Sequence, residues 1–161
     1  MRRILTALIC VPLLTGAAPV KLVPGSPVPQ LSRADINGKK LDLAALHGKL
    51  VLIDFWASWC PPCMVAIPHL IATQKTYGAR GLQVVGISMD DSVAPVKDVA
   101  RRFAFNYPVL LGDAKLGTRF GGVLGLPVQI LVGRDGKIIR IWTGEIPPEQ
   151  VTKAIQDALA H

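Results

Sequence analysis

The sequence predicts an α/β fold, with a mixed central sheet flanked by helices and a small β-hairpin added before it. Three observations carry that expectation. Two apolar runs of strand length, LVLIDFWA at 50–57 and LQVVGISM at 82–89, suit strands covered on both faces. Each is followed by a helix-length segment that opens on a start signal, proline in one case and Asp or Ser in the other. The chain then closes with two strand-like runs joined at Asp135-Gly136 and an amphipathic helix, giving the order β-α-β-α-β-β-α. With 161 residues, half of them apolar, one domain with a substantial core is expected.

The elements follow in order. Residues 1–17 carry Arg2 and Arg3, an apolar run and then small residues, the layout of a signal peptide cut after Ala17. Export to the periplasm or beyond is therefore expected. An uncleaved membrane anchor is the rival reading, but the apolar run falls short of the roughly 20 residues that span a bilayer. Residues 18–30, rich in proline, read as an extended and poorly packed linker, and 31–161 as the domain. Asn37-Gly38 marks the opening hairpin, and AALHGK one helical turn ended by Gly48. A helix should run from 61 to about 77, kinked at Pro68, whose missing N–H breaks the ladder. After Pro108 a short extended piece and a brief helix are expected. The terminal hairpin then spans 127–144, and a last helix starts near Pro147 or Pro148.

The formal charge is +7, of which Arg2 and Arg3 supply two, leaving +5 after the cut. The basic residues are scattered, Arg101-Arg102 being the densest spot, and no basic block is interleaved with aromatics. Nucleic acid is not an expected partner. Signal removal takes Cys10 with it and leaves Cys60 and Cys63, whose loop is too small for a structural staple.

Those two cysteines lie in WASWCPPCMVAIP, residues 56–68. Cys60 falls at a strand-to-helix junction, where free backbone N–H groups and the helix dipole favour a thiolate, the reactive form. Cys60 is thus the candidate attacking sulfur, and Cys63, one turn further in, the more buried resolving thiol. If Cys60 is the N-cap, Pro61 and Pro62 have no N–H to offer its sulfur, which leaves mainly that of Cys63. Partial stabilisation of the thiolate predicts a reducing couple, because strong oxidants stabilise theirs strongly. Asp54 interrupts an otherwise apolar strand six positions before Cys60. Burial should raise its pKa and fit it to take the proton of Cys63, the bland alternative being a satisfied buried or strand-end aspartate. In GLPVQI a proline opens an apolar strand, a place that often marks a tight or cis junction, although Pro108 in NYPVLL is equally plausible on local grounds.

DFWASWCPPC, with GLPVQILVGRDGKI downstream and a signal peptide upstream, resembles exported thioredoxin-like proteins of the TlpA, ResA and DsbE type. The likeness covers about residues 28–160. It implies a thioredoxin-like fold with an added N-terminal β-hairpin and a redox-active Cys60–Cys63 disulfide. It further implies that Pro127 is the cis-proline beside the dithiol, that the Leu126 backbone pairs with an extended substrate segment, and that Trp59, with Trp56, forms the surface around the sulfurs. No cofactor or metal is implied. The implied partners are disulfide-containing exported proteins, such as apocytochrome c or copper-site proteins, and a membrane electron donor of the DsbD or CcdA kind. The chain itself is expected to be a monomer. Two departures stand out: Ala66 occupies the position where relatives often carry glutamate, and Val128 and Gln129 follow the proline where threonine is usual.

Three readings compete. A zinc site needs more ligands than Cys60 and Cys63, and His47 and His69 read better as exposed histidines. A disulfide-introducing oxidase resembling DsbA needs a helical insertion for which the connections here are too short. A non-enzymatic binding module on the same fold remains the rival from another class.

Overall fold

The computed structural model describes residues 22–160; the expected signal peptide, 1–17, and the first four linker residues lie outside them. The strands are β1 (Ser32–Ala34), β2 (Lys40–Asp42), β3 (Leu50–Trp56), β4 (Leu82–Ser88), β5 (Val109–Leu111), β6 (Val128–Val132) and β7 (Ile138–Thr143). The helices are α1 (Pro61–Tyr77), α2 (Val93–Phe103), α3 (Ala114–Arg119) and α4 (Pro148–Leu159), with short 3₁₀ turns at Leu43–Leu46 and Gly78–Arg80.

Five strands form one sheet in the order β5-β4-β3-β6-β7. β3 is parallel to β4, which is parallel to β5, whereas β6 and β7 run antiparallel. All seven residues of the central β3 are buried, Asp54 included, as suits a strand that is otherwise apolar and covered on both faces. Alternation along the strand divides the core in two. Leu50, Leu52 and Trp56 pack with Cys63, Ile67 and Leu70 of α1 and with Val151 and Ile155 of α4. Val51, Ile53 and Phe55 face the other layer, with Leu31, Leu116 and Phe120.

β1 and β2 pair antiparallel around Asn37-Gly38, and the hairpin docks on the outer edge of the sheet. The Ile36 N–H donates to the Val109 carbonyl at 2.9 Å, and Arg33 reaches the Leu111 carbonyl at 3.0 Å and the carboxylate of Asp113, the N-cap of α3. An edge that would otherwise present unpaired backbone groups is thereby covered.

α1 runs as one continuous helix from Pro61 to Tyr77, with Pro68 inside it. Ile67 and Leu70, both buried, hold the helix to the core on either side of the proline. The linker, expected to be poorly packed, is tied to the start of β7 along its described part. Gly25 N–H donates to Ile138 O at 2.7 Å, Ile138 N–H to Ser26 O at 2.9 Å, and Val28 N–H to Gly136 O at 2.9 Å. The segment turns at Pro24–Gly25, where Ser26 N–H donates to Val23 O at 3.1 Å, and its non-proline residues supply the donors and the apolar side chains, Leu22 and Val28, that seat it on the core.

Candidate functional site

The β3–α1 junction holds both cysteines. Beyond Trp56, whose carbonyl accepts from Met89 N–H at 2.8 Å, the chain turns through Ser58. That turn is fixed to the end of β4 by the buried Asp90. Its carboxylate accepts from Ser58 N–H at 2.9 Å, from Ser58 Oγ at 2.5 Å and from Ser88 Oγ at 2.6 Å. Asp90 was expected only as part of a helix-start signal. The N-cap of α2 is Ser92, within the expected Asp or Ser start signal, and its side chain makes no capping bond.

Cys60 is the N-cap of α1, in extended conformation with φ −101° and ψ 102°. Pro61 and Pro62 fill the first helical positions, and the Cys63 N–H donates to Cys60 Sγ at 3.3 Å. The two cysteines are joined in a disulfide with Cα atoms 5.3 Å apart. Cys60 is 4 % and Cys63 1 % exposed, while Trp59 beside them is 67 % exposed. Trp56, by contrast, is 1 % exposed and meets Phe105 edge to face at 5.6 Å, so it belongs to the core and not to the surface around the sulfurs.

Asp54 lies on β3 two residues before Trp56, and alternation puts it on the same face of the sheet as Leu52, Trp56 and the packed Cys63. It is 1 % exposed. Burial lifts its pKa from 3.8 to about 7, against the opposing effect of a hydrogen bond from Gln129, whose Nε2 donates to Oδ1 at 3.1 Å. Tyr107, also buried, has its hydroxyl pKa raised, by desolvation first and by the Asp54 charge second.

The Leu126–Pro127 peptide bond is cis. Pro127 lines an open groove of about 460 Å³ between α1 and the segment leading into α4, together with Pro62, Ala66, His69, Gln129 and Glu145. Leu126 packs partly buried against both core layers, and Leu124, two residues earlier, is fully exposed. The structure thus gathers Cys60, Cys63 and Trp59 at one junction, Asp54 on the sheet face under α1, and Pro127 across a groove from α1. Sequence reasoning singled out neither Gln129 as the partner of Asp54 nor Asp90 as the anchor of the turn, nor Glu145, which supplies the carboxylate on the groove wall that Ala66 lacks. Gln129 was visible only as a departure after Pro127, because its partner depends on strand register. Among the described residues no cluster of three His, Cys, Asp or Glu side chains is gathered as for a metal ion, and no helix is long and apolar enough to cross a membrane.

This geometry accords with known proteins. The Redoxin family model matches residues 23–159. The thiol-disulfide oxidoreductase ResA of Bacillus thuringiensis (strain Al Hakam) is 31 % identical over 133 residues, 81 % of this chain and 76 % of that one. ResA of Bacillus subtilis (strain 168) is 28 % identical over 127 residues, 79 % and 71 % of the two chains. The crystal structure of a thiol:disulfide interchange protein of the thioredoxin family from Chlorobium tepidum TLS superposes with a TM-score of 0.78 at 29 % identity, covering 87 % of this chain and 99 % of that one. A thioredoxin-like sheet with a cysteine pair at its first strand-to-helix junction, matched over nearly the whole described chain, places this protein in the Redoxin family as a thiol-disulfide oxidoreductase of the ResA type.

Proposed function

We propose that the protein reduces disulfides of exported proteins through Cys60 and Cys63, with Asp54 handling the proton. In the reduced form the Cys60 thiolate attacks one sulfur of a target disulfide, and the other target sulfur leaves as a thiolate. Cys63 then gives its proton to the Asp54 carboxylate and attacks Cys60 Sγ. The Cys60–Cys63 disulfide forms, the second target sulfur leaves and the target carries two thiols once its sulfurs are protonated. The two electrons come from the Cys60–Cys63 pair, and a membrane donor of the DsbD or CcdA kind restores it. Export rests on the basic and apolar pattern of residues 1–17, and apocytochrome c or copper-site proteins as clients rest on the likeness to the ResA and DsbE type. Trp59, Leu126 and Pro127 form the contact surface for the target.

The observation that carries the reducing direction is the cap of α1. Pro61 and Pro62 have no N–H, so among the described residues Cys63 N–H alone bonds the Cys60 sulfur. A thiolate with one backbone donor is stabilised less than one with several, and a less stabilised reduced form gives a lower potential. Redox titration against a reference dithiol tests this. The expected potential lies below about −200 mV, and a value near the roughly −120 mV of a strong oxidase would overturn the reducing assignment.

A further inference from the structure

Across the sheet from Asp54, β6 presents Gln129 in direct register, and the side chain is 4 % exposed. Its two amide atoms are served unequally. Nε2 donates to Asp54 Oδ1 at 3.1 Å, whereas Oε1 is buried without a partner among the described residues. Buried polar atoms are ordinarily paired, and here the unpaired one is attached to the group that holds the candidate proton acceptor.

The chemistry of the two side chains explains the imbalance. An ionised carboxylate only accepts hydrogen bonds, while a protonated one donates through its O–H. A primary amide offers a donor at one end and an acceptor at the other, and a half-turn about its last torsion exchanges them with almost no change of shape. Ionised Asp54 therefore fits the orientation seen, with Nε2 toward the carboxylate. Protonated Asp54 fits the reverse, with its O–H directed at Oε1 and the amide NH₂ turned away.

We propose that Gln129 is a positioning residue for the reductase, an amide switch that turns over as Asp54 gains or loses its proton and that sets how readily Asp54 accepts it. The hydrogen bond from Nε2 favours the ionised carboxylate and so keeps a buried base available for the Cys63 proton. Gln129 itself touches no reacting sulfur. The switch rests on Asp54 as proton acceptor, but its test needs neither a target nor turnover.

The test is an NMR titration of the oxidised protein from pH 5 to pH 9, following the Asp54 carboxyl carbon and the Gln129 side-chain NH₂ together. The groups able to disturb it are Tyr107, which senses the Asp54 charge, and His69 and Glu145, which share the groove with Gln129. Cys63, on the α1 side, is held in the disulfide and does not titrate. Both signals should move with one midpoint, and Asp54→Asn should leave the Gln129 NH₂ independent of pH. His69→Gln and Glu145→Gln should leave the shared midpoint in place. Gln129→Met removes the donor but keeps length and bulk, and should raise the Asp54 midpoint by about one pH unit, a tenfold change in proton affinity. Gln129 NH₂ signals that stay flat through the Asp54 titration would overturn the switch. So would a folded Gln129→Met protein whose Asp54 titrates as before. If that variant does not fold, the wild-type titration and Asp54→Asn decide alone. Failure here leaves reduction by Cys60 and Cys63 standing, and a high redox potential would leave the switch standing.

Discussion

Asp54→Asn should stabilise the oxidised protein in a strongly pH-dependent way. In the folded chain burial raises the carboxyl from 3.8 to about 7, a shift of about 3 pH units. At 1.36 kcal/mol per unit that corresponds to about 4 kcal/mol. Between those two pKa values the folded state holds a proton that the unfolded state has released. The contribution of Asp54 to stability is thus fully present below pH 3.8 and lost as pH rises through about 7. Asparagine has nearly the same shape, still accepts from Gln129 Nε2 through its oxygen, and never ionises. The difference between variant and wild type should therefore be constant below about pH 4, grow by about 1.4 kcal/mol per pH unit up to neutrality, and level off at about 4 kcal/mol. Guanidinium denaturation with the disulfide intact, repeated from pH 4 to pH 9, measures it, because every other titrating group cancels in the difference. A difference that stays flat over that range would refute the reasoning, since it would mean that Asp54 titrates alike in the folded and unfolded chains. Under the proposed role of Asp54, the same ionisation acts on the resolving step with the opposite benefit. The carboxylate must be ionised to take the Cys63 proton, so the resolving step should accelerate as pH rises through about 7 in the wild type and lose that dependence in Asp54→Asn.

Further outcomes follow from the junction. Cys63→Ser should accumulate a mixed disulfide through Cys60, identifiable with its target by mass spectrometry, and Cys60→Ser should accumulate none; equal trapping by both variants would show that the attacking sulfur is misassigned. Asp90→Ala strips the acceptor from Ser58 N–H, Ser58 Oγ and Ser88 Oγ together. It should cost about 3 kcal/mol in denaturation and expose the Ser58 amide to faster hydrogen exchange, and a loss below about 1 kcal/mol would show that the turn before Cys60 is held by other contacts.

Much of this protein was legible before folding because its signals are local. Largely apolar runs of strand length marked β3 and β4, prolines at the first helical positions marked the start of α1, and Asn37-Gly38 and Asp135-Gly136 marked two turns. The placement of Cys60 as the cap, with its sulfur served by the Cys63 amide, follows from the order of four consecutive residues. Other features were hidden because they depend on pairing across the sheet. That Asp54 faces Gln129 is set by the register of β3 against β6, and their side chains are 75 positions apart. The use of Asp90 to hold Ser58 required β4 to lie beside β3, since its local context reads equally well as a helix cap. The linker likewise looked unpacked because its composition is that of a loose chain, while its hydrogen bonds go to Gly136 and Ile138 at the start of β7. The sequence by itself determined the elements, the cysteine pair and the donors withheld from it, since each is a property of neighbouring residues. Only the tertiary structure decided what surrounds the proton of Asp54, because burial and cross-strand hydrogen bonds exist only once distant segments meet.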